Sequence, residues 1–194
     1  MDAKNHLEAI DYLYEITNDN RDISESVIKE LNVLILSDVK FTPAQDKNGN
    51  VVQKKARSGV YKKQSNHVLL PNGDIHQYVE PEQVQPQMQE LVEWITENEN
   101  KLHPILVASI VHYNLLRIHA FDDGNGRGAR ILMNLILMKQ DFFPAVIKTE
   151  KKRKYLSTLQ EADKGNIYPF IKFMAHELIE TQESVLNDLE MNGK

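Results

Sequence analysis

The chain has 194 residues, a formal charge of −5, 41% hydrophobic and 26% charged residues, the composition of one globular domain that buries roughly 70% of the surface its unfolded chain exposes. It has no cysteine, which excludes disulfides, a thiolate nucleophile and a cysteine-held metal. The negative balance argues against a nucleic-acid partner, no apolar run reaches membrane-spanning length, and residues 1–6 lack a signal-peptide pattern, so the expected location is cytoplasmic.

Residues 5–17 place Leu7, Ile10, Leu13, Tyr14 and Ile16 at helical spacing, and Asn18-Asp19-Asn20 closes that helix. Asp22-Ile23-Ser24-Glu25 has the form of a capping box, and Val27, Leu31, Leu34 and Ile35 carry a second helix to about Ser37. The polar stretch 41–58, with a turn signal at 46–50, reads as a long mobile loop. Val68-Leu69-Leu70 and residues 75–79, joined by Pro71-Asn72-Gly73-Asp74, predict a hairpin.

Pro86 fits a first helical turn ahead of Met88, Leu91, Val92 and Ile95. Leu106, Val107, Ile110, Val111, Asn114, Leu115 and Ile118 predict a helix with a wide buried face that runs into His119. Ile131, Leu132, Leu135, Ile136 and Met138 predict another, and helices over about 151–162 and 169–189 complete a mainly helical, all-α single domain with one small hairpin. The basic cluster 148–154 reads as the solvated first turn of one of these helices.

The chemistry concentrates in His119-Ala120-Phe121-Asp122-Asp123-Gly124-Asn125-Gly126-Arg127-Gly128-Ala129-Arg130. The preceding segment is helical, so this is no dinucleotide fingerprint, and no Gly-Lys-Ser/Thr closes a P-loop. What remains is helix, tight loop, helix, with Gly124-Asn125-Gly126 at the second helix's N-terminus. Free N–H groups and the helix dipole favour phosphate there, and glycine permits close approach. Arg127 and Arg130, three apart, project from one helical face toward distal phosphates. Asp123 offers a hard oxygen to Mg²⁺, and His119 is a base for a hydroxyl nucleophile. Phe121 is expected to be a core anchor for the loop.

The run matches every specified position of the signature H-x-F-x-D/E-G-N-G-R-x-x-R and so resembles the Fic family. The likeness extends to the helical frame, to the hairpin and to Ser58-Gly59-Val60-Tyr61-Lys62 before it, which resemble the family's core (about 80–165) and flap (about 66–80). The resemblance implies a Fic/Fido fold over 1–194 and transfer of AMP from ATP to a Ser, Thr or Tyr hydroxyl of a target protein or of the chain itself. It implies that His119 takes the hydroxyl proton, Asp123 holds Mg²⁺ across the α- and β-phosphates, Gly124, Asn125 and Gly126 form the anion hole, and Arg127 and Arg130 bind the outer phosphates. The hairpin would either dock the target segment or serve as structural cover.

Ala120 stands where most members carry proline, which loosens the backbone without removing a chemical group. Many members are held inactive by a helix bearing S/T-x-x-x-E-G/N, whose glutamate pairs with the second motif arginine. Ser26–Glu30 and Ser157–Glu161 have the spacing but are followed by Leu31 and Ala162. An inhibitory helix is therefore expected in trans or from a missing upstream segment. Transfer of another nucleotide or group, or a toxin-like binding module governed by an antitoxin, are the alternatives. Gly126 argues against the family's kinase branch, which has lysine there.

Overall fold

The computed structural model describes residues 12–19, 21–45, 50–69 and 75–192. Its first helix, α1, covers 12–18, and the earlier part of the predicted 5–17 helix lies outside the described residues. Helix α2 spans Glu25–Ile35 and is capped by Ser24, whose hydroxyl accepts from the Val27 N–H at 3.3 Å. The cap is thus Ser24, two residues beyond the Asp22 that the capping-box pattern suggested. Within α2 the buried set is Val27, Ile28, Leu31, Asn32 and Ile35; Leu34 is only half-buried, and a polar residue, Asn32, takes a core position.

The stretch 41–58 is not the loop its polarity suggested. Strands β1 (Phe41–Gln45) and β2 (Val51–Lys55) pair antiparallel, Phe41 opposite Lys55 and Gln45 opposite Val51. β2 is exposed along nearly its whole length, so no burial imposed the alternation by which a half-buried strand is read. The predicted hairpin is present as β3 (His67–Leu69) and β4 (Ile75–Gln77), with His67 opposite Gln77; the turn residues 70–74 lie outside the described residues.

Helix α3 runs Pro81–Asn98, starting more than a turn before Pro86, which lies inside it. Pro81 occupies the first turn, where proline's missing N–H is harmless, and Val84, Met88, Leu91 and Ile95 form one buried stripe. Helix α4 (Pro104–Ile118) is the centre of the molecule. Ile105, Val107, Ala108, Ser109, Val111, His112, Leu115 and Ile118 are all buried, so it is covered on nearly every side, by α3, by α5 (Asn125–Met138) and by α7 (Tyr168–Asn192). Helix α2 packs on α5, and α6 (Lys152–Asp163) packs on α7.

Within the basic cluster, Lys152, Arg153 and Lys154 are exposed as expected. Lys151 is recruited instead: its ammonium bridges buried Glu177 at 2.8 Å and Glu180 at 2.7 Å, tying the start of α6 to α7. Among the described residues no helix is long and apolar enough to cross a membrane. The frame is mainly helical, as the apolar periodicities require, and it holds the chemically dense run between the end of α4 and the start of α5.

Candidate active site

The loop from α4 to α5 is built by turning the chain sharply at His119. This residue ends α4 with φ 50° and ψ 55°, a left-handed conformation that costs an L-residue about 1–2 kcal/mol, while its N–H still donates to the Leu115 carbonyl at 3.1 Å. Ala120 follows, fully buried, its carbonyl accepting from the Lys62 N–H at 2.9 Å. Phe121 is buried with its ring 5.4 Å from that of Tyr61, the core anchor anticipated from the sequence. Asn125 then closes the loop on Phe121, its amide oxygen accepting from the Phe121 N–H at 2.9 Å and its Nδ2 donating to the Phe121 carbonyl at 2.8 Å. The Asn125 side chain is therefore committed to the loop, which leaves its backbone N–H as the group it could offer to an anion.

Gly124 is the N-cap of α5 at φ 83°, where L side chains are strained. Space forbids a side chain too: a Cβ would stand 2.9 Å from Asn32 Nδ2. That amide is the fixture on which the loop rests, because Nδ2 donates to the Asp123 carbonyl at 3.0 Å while Oδ1 accepts from the Gly59 N–H at 2.9 Å. The hydrogen-bond ladder of α5 opens with the Gly128 N–H donating to the Gly124 carbonyl at 2.8 Å, so the N–H groups of Asn125, Gly126 and Arg127 have no acceptor within the helix. Gly126 sits in this first turn with only the Arg130 guanidinium near its missing Cβ, at 3.8 Å. Among the described residues nothing requires glycine there, although glycine weakens a helix by about 1 kcal/mol relative to alanine. The same holds at Gly128, whose missing Cβ would meet Ile35 at 3.8 Å.

The charged residues are held individually. The Asp123 Oδ1 accepts from the Gly124 N–H at 2.5 Å and lies 3.6 Å from an Arg127 nitrogen. Arg127 also donates to the Ile35 carbonyl at 3.1 Å, one of the unpaired acceptors at the C-terminus of α2. Arg130 instead acts electrostatically on Tyr155 of α6 and His112 of α4. The two arginines share a helical face yet diverge, because an orphan carbonyl captures one of them. Under Arg130, the His112 Nε2 and the Tyr155 hydroxyl are 2.8 Å apart; burial first, then the charge of Arg130, pushes His112 down to about 3, so it is neutral.

His119 is also neutral at ordinary pH. Burial, followed by the Lys62 ammonium, lowers it to about 4; the Leu116 carbonyl and Asp123 pull upward without offsetting this, and His76 adds a smaller downward push. Its ring lies flat against that of Tyr78, with centroids 3.7 Å apart and planes 22° from parallel. Lys62 is itself buried, its Nζ donating to Asn66 Oδ1 at 2.6 Å, and burial lowers it to about 8 against the pull of Glu80 and Asp122.

Several residues of the site lie outside the motif. Arg57 holds Asp122 with two donors at 2.9 and 2.7 Å, and Lys54 of β2 adds a contact at 3.5 Å, so the first hairpin clamps the residue next to Asp123. Asn66 Nδ2 donates to the Phe121 carbonyl at 3.4 Å. Asn32 carried the one readable signal, a polar residue within the apolar stripe of α2. Lys62 and Tyr78 lay in segments flagged as functional only by resemblance and Arg57 in none, and their individual roles arise from contacts between distant segments.

The Fic/DOC family profile matches residues 22–137. Among curated proteins, the chain is 44% identical over 96 residues to "Protein adenylyltransferase Fic" of Nematostella vectensis, covering 49% of this chain and 22% of that one. Among solved structures, a Fic domain containing signaling protein from Bacteroides thetaiotaomicron superposes with TM-score 0.78 at 31% identity, over 91% of this chain and 67% of the other. Fic-1 from C. elegans superposes with TM-score 0.72 at 26% identity, over 95% and 51%. The matches span about a fifth of the length of the curated relatives.

Proposed function

We propose that this chain, which belongs to the Fic/DOC family, is a protein adenylyltransferase that moves AMP from ATP to a hydroxyl of a target protein, the activity named for its relatives. The observation that carries the reading is the juxtaposition of a neutral buried base, His119, with the open N-terminus of α5.

In this reading the target hydroxyl oxygen attacks the α-phosphorus, its proton passes to the His119 imidazole, the bond from that phosphorus to the bridging oxygen breaks, and pyrophosphate leaves. The N–H groups of Asn125, Gly126 and Arg127, unpaired within the helix, donate to the phosphate oxygens, and Gly126 leaves room for their approach. Arg127 and Arg130 neutralise the outer phosphates, with Arg127 exchanging its hold on Ile35 for the substrate or keeping one donor on each.

The residues present fit Mg²⁺. Asp123 is a part-exposed carboxylate at the loop mouth, and among the described residues no cluster of three or more metal-ligating side chains forms a full protein cage. One carboxylate completed by substrate phosphates is how Mg²⁺ is commonly held. When bound, the ion offsets phosphate charge as the leaving group departs. The target is placed along the β3–β4 hairpin, whose outer edge can accept an extended segment.

The test is transfer of label. Protein incubated with Mg²⁺ and α-labelled ATP is expected to become labelled, on itself or on an added target, whereas γ-labelled ATP leaves it unmarked. Labelling from γ-labelled ATP alone makes the protein a kinase and overturns the reading. Parallel arms with CTP, GTP and UTP assign the base preference.

Control by an inhibitory helix is a part of the same proposal. A peptide bearing S/T-x-x-x-E-G/N is expected to suppress transfer by setting its glutamate on Arg130, and replacing that glutamate by glycine is expected to relieve the suppression. Tight peptide binding with transfer undiminished would show that competition at Arg130 does not operate.

A further inference from the structure

A catalytic imidazole is ordinarily oriented by a hydrogen bond to its far nitrogen. In His119 that fixture is weak: Nδ1 is buried and, among the described residues, finds no partner at good hydrogen-bond geometry. The Leu116 carbonyl, one turn back in α4, is the acceptor that acts on the ring's proton affinity, and it leaves both faces of the ring unheld. What defines the plane of the ring is Tyr78, stacked on one face at 3.7 Å between centroids.

Tyr78 is itself held. Its N–H donates to the Asn66 carbonyl at 3.3 Å, its ring meets that of His76 edge-on at 4.9 Å, and the Lys62 ammonium stands 6.0 Å over the ring. Asn66 and Lys62 both bond the loop that carries His119, through the Phe121 and Ala120 carbonyls. The ring is thus fixed to the same segments as the base, and it directly follows β4.

We propose that Tyr78 is a positioning residue for His119: its ring, stacked on one face of the imidazole, holds the imidazole edge toward the reacting hydroxyl and keeps water off that face. The inference rests on His119 acting as the base. It also links the flap to the chemistry, because a target segment docked on β4 abuts the residue that sets the base's plane.

Among the described residues, the charged and titratable groups around His119 are Lys62, His76 and Tyr78 on the flap side and Asp123 on the loop. None of the other three supplies a stacked cover. Removing the Tyr78 ring readmits water to the imidazole, and the site then titrates nearer the ordinary value of 6.5 than its present value of about 4.

Three variants of the full chain test this: Tyr78→Phe, Tyr78→Ala and, as an apolar cover without a ring in case the alanine variant fails to fold, Tyr78→Leu. Two readouts are taken, the kcat and KM for Mg-ATP in AMP transfer, and the His119 titration followed by NMR without nucleotide. Tyr78→Phe is expected to keep both near wild type. Tyr78→Ala and Tyr78→Leu are expected to lower kcat about tenfold through loss of orientation, with KM for ATP within about twofold. In Tyr78→Ala the His119 midpoint is also expected to move up toward 6.5. Wild-type kcat and an unmoved midpoint in Tyr78→Ala would overturn the proposal, as would equal loss in Tyr78→Phe. If the wild type transfers nothing, the functional reading fails, and the His119 midpoint alone then decides whether Tyr78 governs that ring.

Discussion

His119→Ala is expected to lower AMP transfer by about 10²- to 10⁴-fold, the usual worth of a positioned base, while Mg-ATP binding stays largely intact. The reason is geometric. His119 ends α4 and faces the flap, whereas the groups that would hold phosphates belong to the first two turns of α5 and to Asp123. Removing the imidazole takes away the acceptor for the target's proton and no donor to the nucleotide. Single-turnover labelling with α-labelled ATP, set beside calorimetry of Mg-ATP, separates the two effects. Loss of nucleotide binding in the variant would reassign His119 to binding or to structure.

The same environment fixes the sign of the pH dependence. Burial and Lys62 hold His119 down at about 4, so its competent neutral form prevails at pH 7 and is lost only as pH falls toward that value. A bound triphosphate brings negative charge near the ring and raises the apparent value. The acid limb of transfer in the wild type is therefore expected between about 4 and 6.5. A limb above 7 would mean that the titrating group is not this histidine.

What could be read from the residues alone was whatever is local. The twelve-residue run carries base, carboxylate, glycines and arginines in unbroken order, and α5 begins at Asn125, where the sequence placed the start of a phosphate-binding helix. Helices with one apolar stripe were visible for the same reason. The β1–β2 hairpin was not, because its outer strand is exposed and carries no alternation. The divergence of Arg127 from Arg130 could not be foreseen either, since it depends on the Ile35 carbonyl 92 positions away in sequence. Tyr78 read as one more residue of a strand, and only the docking of the flap on the loop brings its ring to His119.

Asn32 shows how far such a non-local role can reach, and Asn32→Ala is expected to destabilise the protein by about 2–6 kcal/mol. It is almost fully buried, and its loss strands the Gly59 N–H and the Asp123 carbonyl, each at about 1–3 kcal/mol. The Asp123–Gly124 segment would lose its support from α2, so transfer is expected to fall as well. Gly124→Ala attacks the same contact from the other side, adding strain at φ 83° and a Cβ 2.9 Å from Asn32 Nδ2. In the double variant, truncation of Asn32 vacates the space that the new Cβ needs. Urea unfolding of the two single variants and the double variant should therefore show a combined loss smaller than the sum, by more than the roughly 0.5 kcal/mol within which independent sites add. Strict additivity would mean that the two residues do not meet as described, and that the α4–α5 loop takes its shape from the Asn125–Phe121 closure and the Arg57–Asp122 clamp instead.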